Sequence, residues 1–187
     1  MIRPGKPRST VSDESNELRI NIPARRHWLL VIFLAAWLCG WAVGEIAVLS
    51  SIVSGVGGRN PPPPLFLVVW LIGWTVGGGF AIYAVLWQLI GKQVILMNPV
   101  ALTIRDELGR PIRSRQFDLG QVRDLRASQV AYNPWDYTSA MQVWGIGGGA
   151  IAFDYGAKTY RFGSGLDEAE AKHLVKQITQ RFPIRAD

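Results

Sequence analysis

The chain is poor in the side chains that usually build cofactor and nucleophile sites. It has one cysteine, Cys39, and two histidines, His27 and His173. A single cysteine excludes an intrachain disulfide and any cysteine-based metal cluster. No HExxH, CxxC or GxSxG motif occurs, and Gly147-Gly148-Gly149 has neither the following helix nor the Lys-Ser/Thr of a phosphate loop. It reads as a hairpin turn. The carboxylates are scattered at turns, His27 lies beside Arg26, and His173 falls on the polar face of a predicted helix. We therefore expect no enzyme, no catalytic residue, no cofactor and no metal.

Charge is missing from two long stretches. Trp28–Ser50 and Leu65–Ile90 contain no Lys or Arg and only one acid, Glu45. Each is long enough to cross a hydrocarbon core of about 30 Å as a helix. Only Arg59 of the twenty Lys and Arg residues lies between them, and the other nineteen precede Trp28 or follow Ile90. Arg25, Arg26 and Lys92 flank one face of the predicted spans, which places both termini in the cytoplasm. The net charge of +6 is thus explained by topology rather than by nucleic-acid binding. The first span starts after 27 residues and has no small-x-small cleavage site, so it is expected to stay in the mature protein of a bacterial inner (plasma) membrane.

The two stretches share a phrase. Phe33-Leu34-x-x-Trp37-Leu38-x-Gly40-Trp41-x-Val43-Gly44 returns 33 residues later as Phe66-Leu67-x-x-Trp70-Leu71-x-Gly73-Trp74-x-Val76-Gly77, with eight identities. A short connection ending in Pro61-Pro62-Pro63-Pro64 makes the pair an antiparallel hairpin, residues 25–91. Gly40 with Gly44 and Gly73 with Gly77 form GxxxG ridges at matched depth, the pattern that lets helix backbones approach closely within one hairpin or between copies. Trp37, Trp41 and Glu45 lie on one helix face. Together with Trp70 and Trp74 they are candidates for contact with a membrane partner, with packing inside the bundle as the plain alternative. Glu45, an intramembrane acid, is expected to bond a partner helix or reach interfacial water. Membrane lipids, other membrane subunits and copies of the chain are the expected partners.

Residues 1–24 read as a flexible cytoplasmic tail, with Leu18-x-Ile20-x-Ile22 offering an added strand to the C-terminal domain. After Gly91 the apolar period changes to two. Strands are expected at 93–97, 100–105, 111–117, 121–127, 140–145, 150–155 and 158–162, and a C-terminal helix succeeds Ser164–Asp167, which has capping-box form. Residues 92–187 thus make one small cytoplasmic domain. Arg110, Arg113 and Arg115 form a possible lipid-binding patch, with a solvated face as the alternative. Trp135 and Tyr137 in a long loop either dock a partner or cap the domain.

Seven strands closed by one helix is the order of a pleckstrin-homology-like (PH-like) domain. The runs Leu102-Thr103-Ile104-Arg105, Phe117-Asp118-Leu119-x-x-Val122-x-x-Leu125-Arg126 and Phe153-Asp154-Tyr155-Gly156-x-x-Thr159-x-Arg161-Phe162-Gly163 carry a likeness, extended by Leu166-x-x-x-Glu170-Ala171. Over residues 28 to 182, apart from loops, the chain resembles uncharacterised bacterial two-transmembrane-helix membrane proteins with a C-terminal PH-like domain. The resemblance implies an α+β membrane protein: a transmembrane hairpin followed by a seven-stranded β-barrel or sandwich with a capping helix. It implies no activity. The expected role is a scaffold or accessory subunit of a larger membrane complex, with an anionic-lipid-binding organiser or sensor as the alternative.

Overall fold

A computed structural model describes residues 9–14, 16–54, 64–128 and 148–184. The described chain forms two compact units, His27–Leu86 and the remainder on either side of it.

The first unit is helical. α1 (Trp28–Ser54) and α2 (Pro64–Ile90) each have 27 residues, about 40 Å at the helical rise. The nine residues between them reach at most about 32 Å when fully extended, too short to return to the start of α1. The helices therefore run antiparallel. In α1 the less exposed positions include Val31, Leu34, Leu38, Trp41, Glu45 and Val48, an alternating three-and-four spacing that marks one seam. Only 11% of the most apolar stretch of each helix is buried within the molecule. The core helix of a water-soluble fold would be mostly covered, whereas these two are long and apolar enough to cross a membrane.

The second unit is built from antiparallel sheets. Its first sheet has the order β1 (Thr10–Glu14), β2 (Glu17–Pro23), β3 (Gly91–Met97), β4 (Ala101–Leu108) and β5 (Arg110–Asp118). A one-turn 3-10 helix, Leu119–Gln121, leads into β6 (Val122–Ala127), which pairs with β7 (Ile151–Tyr155) and then β8 (Lys158–Phe162) in a second sheet. The helix α3 (Glu168–Arg181) comes last. The predicted strand 140–145 lies outside the described residues.

Residues 10–14 and 17–23 are strands, not a flexible tail. The alternation of Leu18, Ile20 and Ile22 puts three apolar side chains on one face of β2, and all three are buried. β2 pairs with β3 from Leu18↔Met97 to Pro23↔Lys92, and the amide of Ala24 extends the ladder by donating to the Gly91 carbonyl at 3.0 Å. The domain boundary expected at residue 92 shifts accordingly. The hairpin leaves and re-enters the sheet between two hydrogen-bonded neighbours, so the domain begins before the hairpin and is completed after it.

The core lies between the two sheets and α3. It contains Ile20, Ile22, Ile95, Met97 and Leu102 from the first sheet, and Ile151, Phe153 and Phe162 from the second. Leu174 and Ile178 come from the apolar face of α3. Phe117 meets Phe153 edge-on at 5.1 Å and Tyr160 at 4.7 Å, which joins the sheets through aromatic contacts. A polar link reinforces them: buried Gln93 accepts from the Gly163 amide at 2.6 Å and donates to Asp106 at 2.8 Å. Gly163 has φ +81°, the left-handed region that favours glycine, where a side chain would also strike Leu166. α3 is capped by Asp167, whose side chain accepts from the Glu170 amide at 2.8 Å, and not by Ser164. Glu170 turns away from a reciprocal cap to accept from both the amide and the hydroxyl of Ser9.

Replacing residues 25–90 by a two-residue Asn-Gly turn joins strands already in register. The expected product is monomeric and soluble without detergent, with a mixed α/β circular dichroism spectrum. Aggregation in gel filtration would mean that the removed helices form part of the domain's core.

Candidate functional site

The hairpin holds the densest set of expected contact residues. Trp41 donates its indole N–H to the Trp74 carbonyl at 3.0 Å. Trp74 stacks on Trp70 at a centroid distance of 4.8 Å and lies 6.0 Å from Trp37. Thr75 donates its hydroxyl to Glu45 Oε1 at 2.7 Å. The structure therefore brings together Trp37, Trp41, Glu45, Trp70 and Trp74, and adds Thr75.

The glycines act differently from the expected ridge. A Cβ at Gly44 would rest 3.6 Å from the Trp74 ring, so Trp74 packs over Gly44. Reciprocally, Trp41 fills the space at Gly78, where a Cβ would overlap the indole. Among the described residues, nothing lies within 4 Å of where a Cβ would sit at Gly40, Gly73 or Gly77. The helices thus meet through indoles seated on glycine notches, and the close backbone approach expected at GxxxG is absent from this pair. An indole is too bulky to permit it. Gly78, one residue past the second copy of the phrase, was not legible from the repeat alone.

Two polar atoms at this seam are covered and have no hydrogen-bond partner among the described residues: Trp74 Nε1 and Glu45 Oε2. In a medium without water such groups are costly, and they usually find a partner.

In the β-domain the strongest electrostatic arrangement is on the second sheet. Arg126 holds Asp154 at 2.8 and 3.4 Å, Thr159 donates to the same carboxylate at 2.6 Å, and Asp124 also pairs with Arg126. Asp124 has φ +45°, set by a bulge in β6 between Arg123 and Arg126. The hydrogen bond from Arg126, then that from Thr159, holds the Asp154 carboxyl below its ordinary value; the same bond raises the Arg126 guanidinium. With each carboxylate turned onto one arginine, the group ties β6, β7 and β8 together.

Arg110, Arg113 and Arg115 lie on β5, the last strand of the first sheet. All three are exposed and without an ion pair among the described residues. Asp106↔Arg113 and Ile104↔Arg115 are direct register partners, so Arg113 and Arg115 share a face, whereas Arg110 pairs with Leu108 at the turn beyond a bulge. Trp135 and Tyr137 lie outside the described residues. Among the described residues no group of three or more His, Cys, Asp or Glu could hold a metal ion. A depression of about 450 Å³ near Pro99, Leu119 and Phe182 includes Arg181, which is already paired with Asp13.

Comparison with protein-family models, curated proteins and solved structures returns no match.

The seam and the ion-pair group each respond to a single substitution. Gly78→Val drives a side chain into the Trp41 indole, a cost of about 1–3 kcal/mol for overpacking; it lowers the thermal midpoint in detergent and shifts tryptophan emission, while Gly73→Val leaves both unchanged. Because the folded Asp154 carboxyl is depressed, its contribution is fully present above the unfolded value of about 4 and is lost as pH falls through the lower folded value. Asp154→Asn therefore flattens the acid side of the stability profile measured by denaturant titration, and leaves its shape unchanged at neutral pH.

Proposed function

We propose that this is a non-catalytic integral membrane scaffold, or an accessory and assembly subunit of a larger membrane complex. The observation that carries the reading is the insertion of an apolar helical hairpin between two hydrogen-bonded strands, β2 and β3. A hairpin tied at both feet to one sheet fixes a folded domain to the bilayer at two adjacent points. The exposed apolar surface of α1 and α2, with open faces at Gly40, Gly73 and Gly77, supports association with other helices or with a second copy.

In this reading the helices span the inner membrane of a bacterium. Strands that pair with each other lie on one side of the bilayer, so a spanning pair returns to the side it left. Arg25, Arg26 and Lys92 beside those strands favour the cytoplasmic side. We read the domain as PH-like: among the described residues, with β1 set aside, β2–β5 and β6–β8 lie in two sheets followed by α3, β2 being an addition to the expected seven strands and the expected strand 140–145 lying outside the described residues. The hairpin then occupies the connection between the first and second of these strands.

A second reading, an anionic-lipid-binding organiser or sensor, is favoured by Arg110, Arg113 and Arg115, exposed and without an ion pair among the described residues. The readings separate on mutation. Gly40→Leu with Gly73→Leu is expected to remove foreign subunits from the complex extracted in polymer nanodiscs and identified by mass spectrometry, while the β-domain stays folded. Recovery of only this chain and lipid before mutation would refute the assembly reading. Reporter fusions at Asn60 and Asp187 are expected on opposite sides of the membrane; a common side would refute the spanning hairpin.

A further inference from the structure

The first sheet is electrically polar along its strands. Its register sets the order of charges relative to the point where the hairpin attaches. Gly91, the first residue after α2, pairs with Leu108, which pairs with Arg110. Gln93 pairs with Asp106, which pairs with Arg113, and Ile95 pairs with Ile104, which pairs with Arg115. Arg110 therefore stands two strands from Gly91 at the same level, about 10 Å away by strand spacing. Arg113 lies about 7 Å further along the strand, and Arg115 about 13 Å.

At the hairpin end, between the levels of Gly91 and Gln93, the cations are Lys92, Arg110 and Arg113, and Arg25 and Arg26 follow β2 just before α1; the acids are Asp106 and Glu107. Lys92 is neutralised by Glu107 at 3.1 Å, and Arg26 donates to the Leu89 carbonyl at the end of α2. Arg25, Arg110 and Arg113 are exposed and have no ion pair among the described residues. The opposite end has the reverse sign, with Glu17 at the start of β2 and Asp118 at the end of β5, while Asp13 there is neutralised by Arg181. A net positive end at the hairpin and a negative end away from it is the asymmetry that an anionic surface at the hairpin attracts.

We propose that the hairpin-bearing end of this sheet, with Arg25, Arg110 and Arg113 as its free cations, docks on anionic phospholipid headgroups. The proposal rests on the reading that α1 and α2 span the bilayer. It refines the patch of Arg110, Arg113 and Arg115 by distance from the point where the chain leaves α2: Arg110 is at the level of Gly91, Arg113 at that of Gln93, and Arg115 a further two residues along. Residue type agrees: guanidinium groups form paired hydrogen bonds with phosphate. An acidic protein segment is a different partner for the same edge, and Pro111, which lacks an amide donor, makes β5 a poor template for strand addition.

The test uses the full chain in nanodiscs of phosphatidylcholine alone, or of two parts phosphatidylcholine to one part phosphatidylglycerol. Hydrogen–deuterium exchange is read by mass spectrometry. Phosphatidylglycerol is expected to slow exchange across residues 105–113 about fivefold per engaged arginine, an effect that fades with added salt. Arg110→Glu with Arg113→Glu abolishes the difference, and the milder Arg110→Gln with Arg113→Gln reduces it, with unchanged protection of β7 and α3 reporting an intact domain. Arg115→Glu retains it. Equal exchange of 105–113 in both lipids, with α1 and α2 protected, overturns the headgroup proposal and leaves the hairpin reading intact. Fast exchange throughout α1 and α2 in both lipids overturns both. Slowing that survives the double reversal, or that occurs only in native membrane extract, assigns the contact to another surface or to a protein and also overturns the proposal.

Discussion

The pairing of β2 with β3 across the inserted hairpin is the contact on which the rest depends. Pro23 and Lys92 are neighbours in the ladder although 27-residue helices and their connection lie between them. Loop closure over such a separation would ordinarily be slow and entropically costly. Here the closing element is an antiparallel helix pair, which brings Pro23 and Lys92 back together. The register is also strongly determined. A slip of one residue would turn Leu18, Ile20 and Ile22 out of the core and leave Ile95 and Met97 without partners. A slip of two would move the helix feet by about 7 Å relative to each other.

The β-domain is joined by a few cross-links rather than by one continuous ladder. Phe117 reaches across to Phe153 and Tyr160, while Gln93 satisfies the Gly163 amide just beyond β8. Removing the glutamine carbonyl would leave that buried N–H unpaired, at a cost of about 1–3 kcal/mol. β1 is attached more lightly. It has one neighbouring strand, and its ends are tied to α3 by Ser9 on Glu170 and by Asp13 with Arg181. Exposed ion pairs of this kind contribute little individually, so the extra strand depends mainly on its backbone ladder with β2.

Periodicity made much of this legible. The change in apolar spacing after Gly91 located six described strands to within a few residues, and the three-residue step from Val122 to Leu125 marked the bulge that places Asp124 at positive φ. The alternation at Leu18, Ile20 and Ile22 pointed to β2. Its pairing with β3 was hidden because the hairpin separates the partners in sequence while uniting them in space. The repeated phrase identified the two helices and their tryptophans. It did not show that the indoles would occupy the glycine notches, since a GxxxG pattern records small residues without saying whether a backbone or a ring fills the gap. Gly78, Thr75 and Gln93 became meaningful only through partners distant in sequence.

The same repeat accounts for tryptophans well away from the ends of the helices. Two copies of one phrase, laid antiparallel, bring one tryptophan of each toward a glycine of the other helix, giving Trp74 over Gly44 within the phrase and Trp41 over Gly78 one residue beyond it. The Trp41 indole N–H finds the Trp74 carbonyl, and one Glu45 oxygen accepts from Thr75. The exchange is incomplete: Trp74 keeps its donor and Glu45 its second oxygen, both covered and without a partner among the described residues. If rigid anchoring were the whole requirement, apolar side chains of the same size would fill the seam at lower cost, because lipid offers polar groups nothing. A seam that is closed in shape but open in hydrogen-bonding capacity suits a helix pair whose polar groups are completed by a further helix or by water.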